Sequence, residues 1–270
     1  PLSISLRILS APLAINSPAM TRKELHCALV MPLIVLASIC HAQDTTTQKK
    51  KPLVHAYGNI QLTNNGVAPV PVFALGRPAV IANTYIRKGR FYFNNDLMFG
   101  LDAKPWTINN RAGFFVVDNE KLSLHIATDL SLFFLQRDPN VNNHEEYQLQ
   151  RYWGNEVNGE YRIKPDRKIQ FSFWHTITMD NIGIAREEFF NVAYSIENIP
   201  IGRNFLFGFR PNALYIYDHQ MLEGVYVGQT STIQYRKWGF NAFLQTMWPV
   251  HTIPHVPFIW NTGLNIPFGG

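Results

Sequence analysis

Cysteine is almost missing. The chain has two, Cys27 and Cys40, so nothing after residue 40 can form a disulfide. Small secreted domains with thin cores depend on disulfides, and this chain must be held together otherwise. Charge is also sparse, at 16% of residues against about 25% in soluble domains. Long apolar runs are lacking too. The longest, residues 28–39, is about a dozen residues, short of the ~20 a membrane helix needs. No phosphate loop, dinucleotide fingerprint or zinc spacing occurs, so no cofactor is expected. No basic run is interleaved with aromatics, which argues against nucleic-acid binding. Lys49, Lys50 and Lys51 read as a solvated linker. Past Leu53 no stretch repeats with the 3.6-residue period of a helix.

Aromatics are plentiful, with 19 Phe and 11 Tyr. Near the start, Arg22 and Lys23 precede the 28–39 apolar run, and Cys40-His41-Ala42 ends it on a small residue. That is the order of a secretory signal. Met20 reads as the start, with 1–19 as upstream translated sequence, 20–42 as signal peptide and 43–53 as a flexible periplasmic lead-in. A lipoprotein signal ending at Cys40 is the weaker alternative, because Ile39 is a poor residue just before a lipidated Cys.

From Leu53 onward, runs of period 2 follow one another. The clearest sets Leu122, Leu124, Ile126, Leu130, Leu132 and Phe134 against Ser123, His125, Ala127, Asp129 and Ser131. Further runs carry Ile169, Phe171 and Phe173, then Phe205, Phe207 and Phe209, then Phe258, Trp260, Leu264, Ile266 and Phe268. The pattern predicts about twelve strands, at 54–63, 78–87, 90–100, 104–117, 121–135, 145–164, 167–178, 187–199, 203–217, 223–236, 238–248 and 256–268. Tight turns at Lys88-Gly89, Asp118-Asn119-Glu120, Pro165-Asp166-Arg167, Pro200-Ile201-Gly202 and Lys237 alternate with longer connections, the short 101–103 apart.

Alternation alone says only that one face is wet. Three features put the apolar face in lipid rather than in a core. The strands are longer than the usual 5–6 residues of soluble sheets. The apolar face is rich in Phe and Leu. Aromatics gather near strand ends: Trp106, Trp153, Tyr215, Tyr217, Tyr235, Trp238, Trp248 and Trp260, as in the aromatic girdles of outer-membrane barrels. Unpaired backbone in lipid is costly, so the ladder must close and strand 54–63 must meet 256–268. The expectation is an all-β, closed antiparallel up-and-down transmembrane barrel over 54–268, exported to a bacterial outer membrane, with outer-membrane lipid as its surroundings.

The segment Gly58-Asn59-Ile60-Gln61-Leu62, the 67–79 loop and the 90–106 stretch resemble uncharacterised outer-membrane β-barrel proteins of Bacteroidetes-type bacteria. The resemblance spans roughly 54–268 and carries no catalytic or ligand residues. The last strand, ending in Phe268, resembles the aromatic-terminated assembly signal of such barrels, although Gly269 and Gly270 follow it.

The polar face assigns Asp96, Arg111, His125, Asp129, Glu156, Glu160, Arg162, Glu197 and Arg210 to the lumen. They read either as ion pairs filling a narrow barrel or as the lining of a small solute path. Ser123, His125 and Asp129 hold the residue types of a hydrolytic triad. However, residues two apart on a strand are ~6.6 Å apart, and no nucleophile elbow accompanies them. Outer-membrane phospholipase A pairs the two as His-x-Ser, whereas here the order is Ser123-Leu124-His125. His251 and His255 sit among Pro249, Pro254 and Pro257, so they read as loop histidines rather than metal ligands. The functional readings are therefore a narrow channel, a structural barrel that binds another envelope protein, and, least, a membrane hydrolase.

Overall fold

The computed structural model describes residues 54–67, 74–136, 147–181, 184–218 and 223–269. The expected upstream, signal and lead-in segments lie outside them. Twelve strands form one closed antiparallel barrel in chain order. They are β1 (Val54–Thr63), β2 (Ala79–Lys88), β3 (Phe91–Gly100), β4 (Pro105–Asp118), β5 (Leu122–Gln136) and β6 (Tyr147–Lys164), followed by β7 (Arg167–Thr178), β8 (Arg186–Ile201), β9 (Phe205–Asp218), β10 (Glu223–Tyr235), β11 (Asn241–Ile253) and β12 (Ile259–Gly269). Most boundaries fall within two residues of those the alternation predicts. No helix among the described residues is long and apolar enough to cross a membrane, which is no argument about strands.

Short turns close one end of the barrel and, for the most part, longer connections close the other. Gly89 has φ +62°, a value that glycine adopts without strain, and it turns β2 into β3. Asn119 builds the next turn: its Oδ1 accepts from the Lys121 and Leu122 amides at 3.0 and 2.8 Å. We call this the turn end, and the opposite rim the loop end.

The closing seam pairs Tyr57 with Gly269 through to Thr63 with Gly263. Side chains pin it at the loop end. Thr63 Oγ1 hydrogen-bonds Asn261 Oδ1, the Thr262 amide donates to Asn64 Oδ1 at 2.8 Å, and Asn65 Nδ2 donates to the Trp260 carbonyl at 3.1 Å. Lower down, Gly58 makes room for the Phe268 ring: a Cβ there would sit 2.5 Å from Phe268 Cζ.

Exposure separates the two walls. Outward-pointing residues stay exposed although they are large and apolar, among them Phe93, Leu149, Val157, Phe171, Phe173, Phe190, Val192, Leu244 and Phe268. Their inward neighbours Asn94, Gln150, Glu156, Asn191 and Asn261 are buried. A soluble sandwich would reverse this order, because its apolar face is the hidden one. One polar row crosses the outer wall by register: Asn155, His175, Glu188, Tyr217 and Glu223. It climbs to the loop end, and its upper members are paired within the chain, with Arg186 to Glu188 at 2.6 Å and Tyr215 Oη to Glu223 at 3.3 Å.

Two expectations need correction. The eleventh strand does not stop at 248. It runs through Pro249 to Ile253, because the register shifts between Val225 and Tyr226 and sets Tyr226 opposite Pro249 and Val225 opposite His251. A bulge tolerates a residue that lacks the N–H a regular ladder needs. His251 is thus strand, and His255 lies in the 254–258 connection. Trp106 also departs from the exposed aromatics. The β3–β4 register shifts from Met98–Thr107 to Phe99–Pro105, which leaves Trp106 as the extra residue, and it is only 7% exposed.

Candidate functional site: the luminal wall

The pairing registers put the nine luminal candidates on the face opposite the exposed Phe and Leu rows, in two networks and one aromatic cluster. The first network crosses β3 to β6. Arg111 on β4 stands opposite Asp129 on β5 and reaches over that strand to β6, where its Nε donates to Glu156 Oε1 at 2.7 Å. Asn158 Nδ2 holds the other Glu156 oxygen at 3.0 Å, and Ser131 Oγ donates to Asp129 Oδ2 at 2.6 Å. Asp96 on β3 accepts from Asn83 Nδ2. The Arg111 guanidinium also lies 5.6 Å from the centre of the Trp174 ring, which stands on β7, three strands further round the wall. One arginine thus ties β4 to β6 and β7 at mid-height. Its side chain keeps 20% of its surface open while Glu156 keeps 4%, so water reaches the cation but hardly the anion.

The second network lies toward the turn end on β6 to β9. Lys168 Nζ sits between Glu160 at 3.2 Å and Glu197 at 2.9 Å. Arg162 Nε donates to Glu160 at 3.0 Å. Gln170 links this set to the next strands: its Nε2 donates to Glu160 at 3.2 Å, and its Oε1 accepts from Arg210 Nε at 3.1 Å and Ser195 Oγ at 3.3 Å. Lys168, Gln170 and Ser131 were not singled out from the sequence. Their signal was present, since each alternates with an outward apolar residue.

His125 joins neither network. Its Nδ1 lies 2.7 Å from the Tyr92 hydroxyl, its ring is 5.1 Å from that of Phe115, and Arg87 caps Phe115 at 3.9 Å. Asp129 is engaged by Ser131, and among the described residues Ser123 makes no hydrogen bond to His125. The serine, histidine and carboxylate therefore share a strand face without the contacts of a triad. Among the described residues no group of three or more His, Cys, Asp or Glu could hold a metal.

The sequence did not announce an apolar sector. Phe189, Leu214, Ile216, Tyr226 and Met247 pack together inside the wall of β8 to β11 near the loop end, with Trp174, Val256 and Ile259 against them. Ile216 and Tyr226 retain 0% and 1% of their surface. The lumen is therefore polar along β3 to β6 and along the turn-end half of β8 and β9, and dry in this patch of β8 to β11.

The expected interface aromatics fall at both ends. At the turn end Tyr235 meets Trp238 edge to face and Trp238 stacks on Phe240, with ring centroids 5.1 and 4.8 Å apart. Tyr215, Tyr217, Trp153, Trp248 and Trp260 lie toward the loop end, where Trp248 packs on Phe258 at 5.4 Å.

No protein-family model matches the chain, and no curated protein matches it. Solved outer-membrane barrels are similar to it. Outer-membrane expressed OmpT of Vibrio cholerae is 8% identical with a TM-score of 0.40, over 83% of this chain and 100% of that one. The beta domain of the Bordetella autotransporter BrkA is 9% identical with a TM-score of 0.38, over 80% and 98%. A mutant of the Rh. blastica porin is 9% identical with a TM-score of 0.30, over 80% and 99%.

Proposed function

We propose that this chain is an outer-membrane β-barrel that serves as a narrow path for small polar solutes or ions. The observation that supports a membrane setting is the inverted exposure: large apolar side chains on the outside, amides and carboxylates inside. Residues 20–42 would act as its export signal. The likeness of residues 58–62, 67–79 and 90–106 to barrels of Bacteroidetes-type bacteria belongs to the same reading.

The solute path rests on the charged column that runs from Lys168 and Glu160 near the turn end to Arg111 at mid-height. Arg111 narrows the bore and sets its charge there, and substitutions on such a wall tune selectivity. Purified barrel in planar bilayers should show small, discrete conductance steps, and Arg111→Ala should enlarge them and shift the reversal potential toward cations. A folded barrel with no conductance, before or after that substitution, would sink the channel reading.

The dry β8–β11 sector favours a second reading, a structural barrel that binds another envelope protein. That reading expects a stoichiometric partner to co-purify and no conductance.

A further inference from the structure

We propose that the outer wall of β2 to β4 seats a second copy of this chain. The inference rests on the membrane setting argued above and adds a partner to it. By register Thr84, Asn95 and Asn110 lie side by side across three strands. All three point outward, and the neighbours on their strands are apolar: Ala82 and Ile86, Phe93 and Leu97, Ile108 and Ala112. Asn95 and Thr84 are at the middle of ten-residue strands, so the amides lie at the depth where water is scarcest.

Their hydrogen bonding is half complete. Asn95 Nδ2 donates to Asn110 Oδ1 at 2.8 Å and to the Asn109 carbonyl at 3.3 Å. Among the described residues, Asn95 Oδ1 has no donor and Asn110 Nδ2 has no acceptor. Turning both amides over leaves the same balance of one free carbonyl and one free NH2. Hydrocarbon can satisfy neither. A second copy related by a two-fold axis can satisfy both, because an isologous interface brings each surface against itself. Asn110 of the second copy would donate to Asn95, and the converse contact follows from the symmetry. Ala82 and Ala112 keep the wall low on both sides of the amides, which permits the close approach seen where small residues line membrane contacts. In the other polar row His175, Glu188, Tyr217 and Glu223 are engaged within the chain and rise to the rim. Asn155 at its foot has no side-chain partner among the described residues, but it is a single amide and not a side-by-side pair.

The test uses the full chain with Cys27→Ala and Cys40→Ala, so that one introduced thiol is unique. Ala112→Cys marks the proposed interface, and Val192→Cys on the exposed wall of β8 is the control. Membranes are treated with a flexible bis-maleimide. Ala112→Cys should yield a product of twice the chain mass, with Val192→Cys giving less than about a tenth of it. Adding Asn95→Leu and Asn110→Leu should cut the Ala112→Cys yield by about tenfold. The shift in gel mobility on heating reports folding in every sample. Should the leucine variants fail to fold, the two cysteine positions alone decide. Monomer from folded, membrane-embedded Ala112→Cys, equal yields at both positions, or an adduct of a different mass would each overturn the interface and leave the membrane reading standing. Folded chain recovered outside the membrane fraction would overturn the membrane reading itself.

Discussion

The two luminal sectors share one backbone period and differ in everything that period carries. Along β3 to β6 the inward side chains include Asp96, Arg111, Asp129 and Glu156, and the residues beside them that point outward are Leu97, Ala112, Leu130 and Val157 together with Asn95, Asn110, Thr128 and Asn155. Along β8 to β11 the inward side chains near the loop end include Phe189, Leu214, Ile216, Tyr226 and Met247, while nearer the turn end β8 and β9 carry Ser195, Arg210 and the Asn191–Asn212 pair. The outward set beside Leu214 and Ile216 is Ala213, Tyr215 and Tyr217, so β9 is apolar on both faces there. The lesson is that one barrel wall can be apolar on both faces in one patch and polar on its luminal face in another.

The largest effect should come from emptying the dry sector. Tyr226→Ala removes a fully buried ring, and large aromatic-to-alanine changes cost about 3–5 kcal/mol. Urea titration of folded barrel in detergent measures it, and a loss below 1 kcal/mol, roughly an ordinary surface change, would show that the sector is not packed as described. Next is the outer wall. Leu130→Arg puts a charge among the apolar residues of β5 and should cost about 2–4 kcal/mol at mid-depth. The same substitution at a luminal site of that strand, Ser131→Arg, should cost far less if the walls are assigned correctly. Third, Arg111→Ala in the polar sector removes a charge-assisted hydrogen bond, worth about 1.5–3 kcal/mol, and leaves the nearly buried Glu156 without its cation, so stability should fall along with the change in selectivity.

The smallest effect concerns the rim. Asp180, between β7 and β8, accepts from Arg151 Nη2 at 2.6 Å and from its amide at 2.7 Å. The hydrogen bonds from the Arg151 side chain and amide hold the carboxyl below its ordinary range. A depressed carboxylate stabilises the fold above its unfolded pKa and loses that contribution as pH falls through the folded value. Asp180→Asn should therefore lower the melting temperature slightly at neutral pH and match the native chain in strong acid. The contact is exposed, so the difference should be small.

Much of this architecture is legible in the residues, because a period of two survives wherever the faces differ in chemistry. That holds for β5, whose Leu and Ile row faces away from Asp129 and Ser131, and the same period carries the strand count. It fails in three places for physical reasons. Trp106 is hidden by a one-residue register shift that no local pattern encodes. The end of β11 is obscured by Pro249, which reads as a breaker until a bulge is set opposite it. The apolar luminal cluster is invisible because Leu214 and Ile216 alternate with residues as greasy as themselves. The contacts made by single luminal side chains, such as Arg111 meeting Glu156 across β5, depend on reach and rotamer rather than on spacing.

The seam between Gly58 and Phe268 has a consequence for how the molecule comes into being. Every other neighbouring pair of strands is joined by a connection of at most 15 residues, whereas Thr63 and Asn261 are separated by 198. Hairpins can form early and locally, but that last junction has the steepest entropic demand. Until it zips, two raw edges confront the surrounding medium. Assembly is therefore a race between closure and capture of those edges, and the ring of Phe268 settling over Gly58 marks its finish.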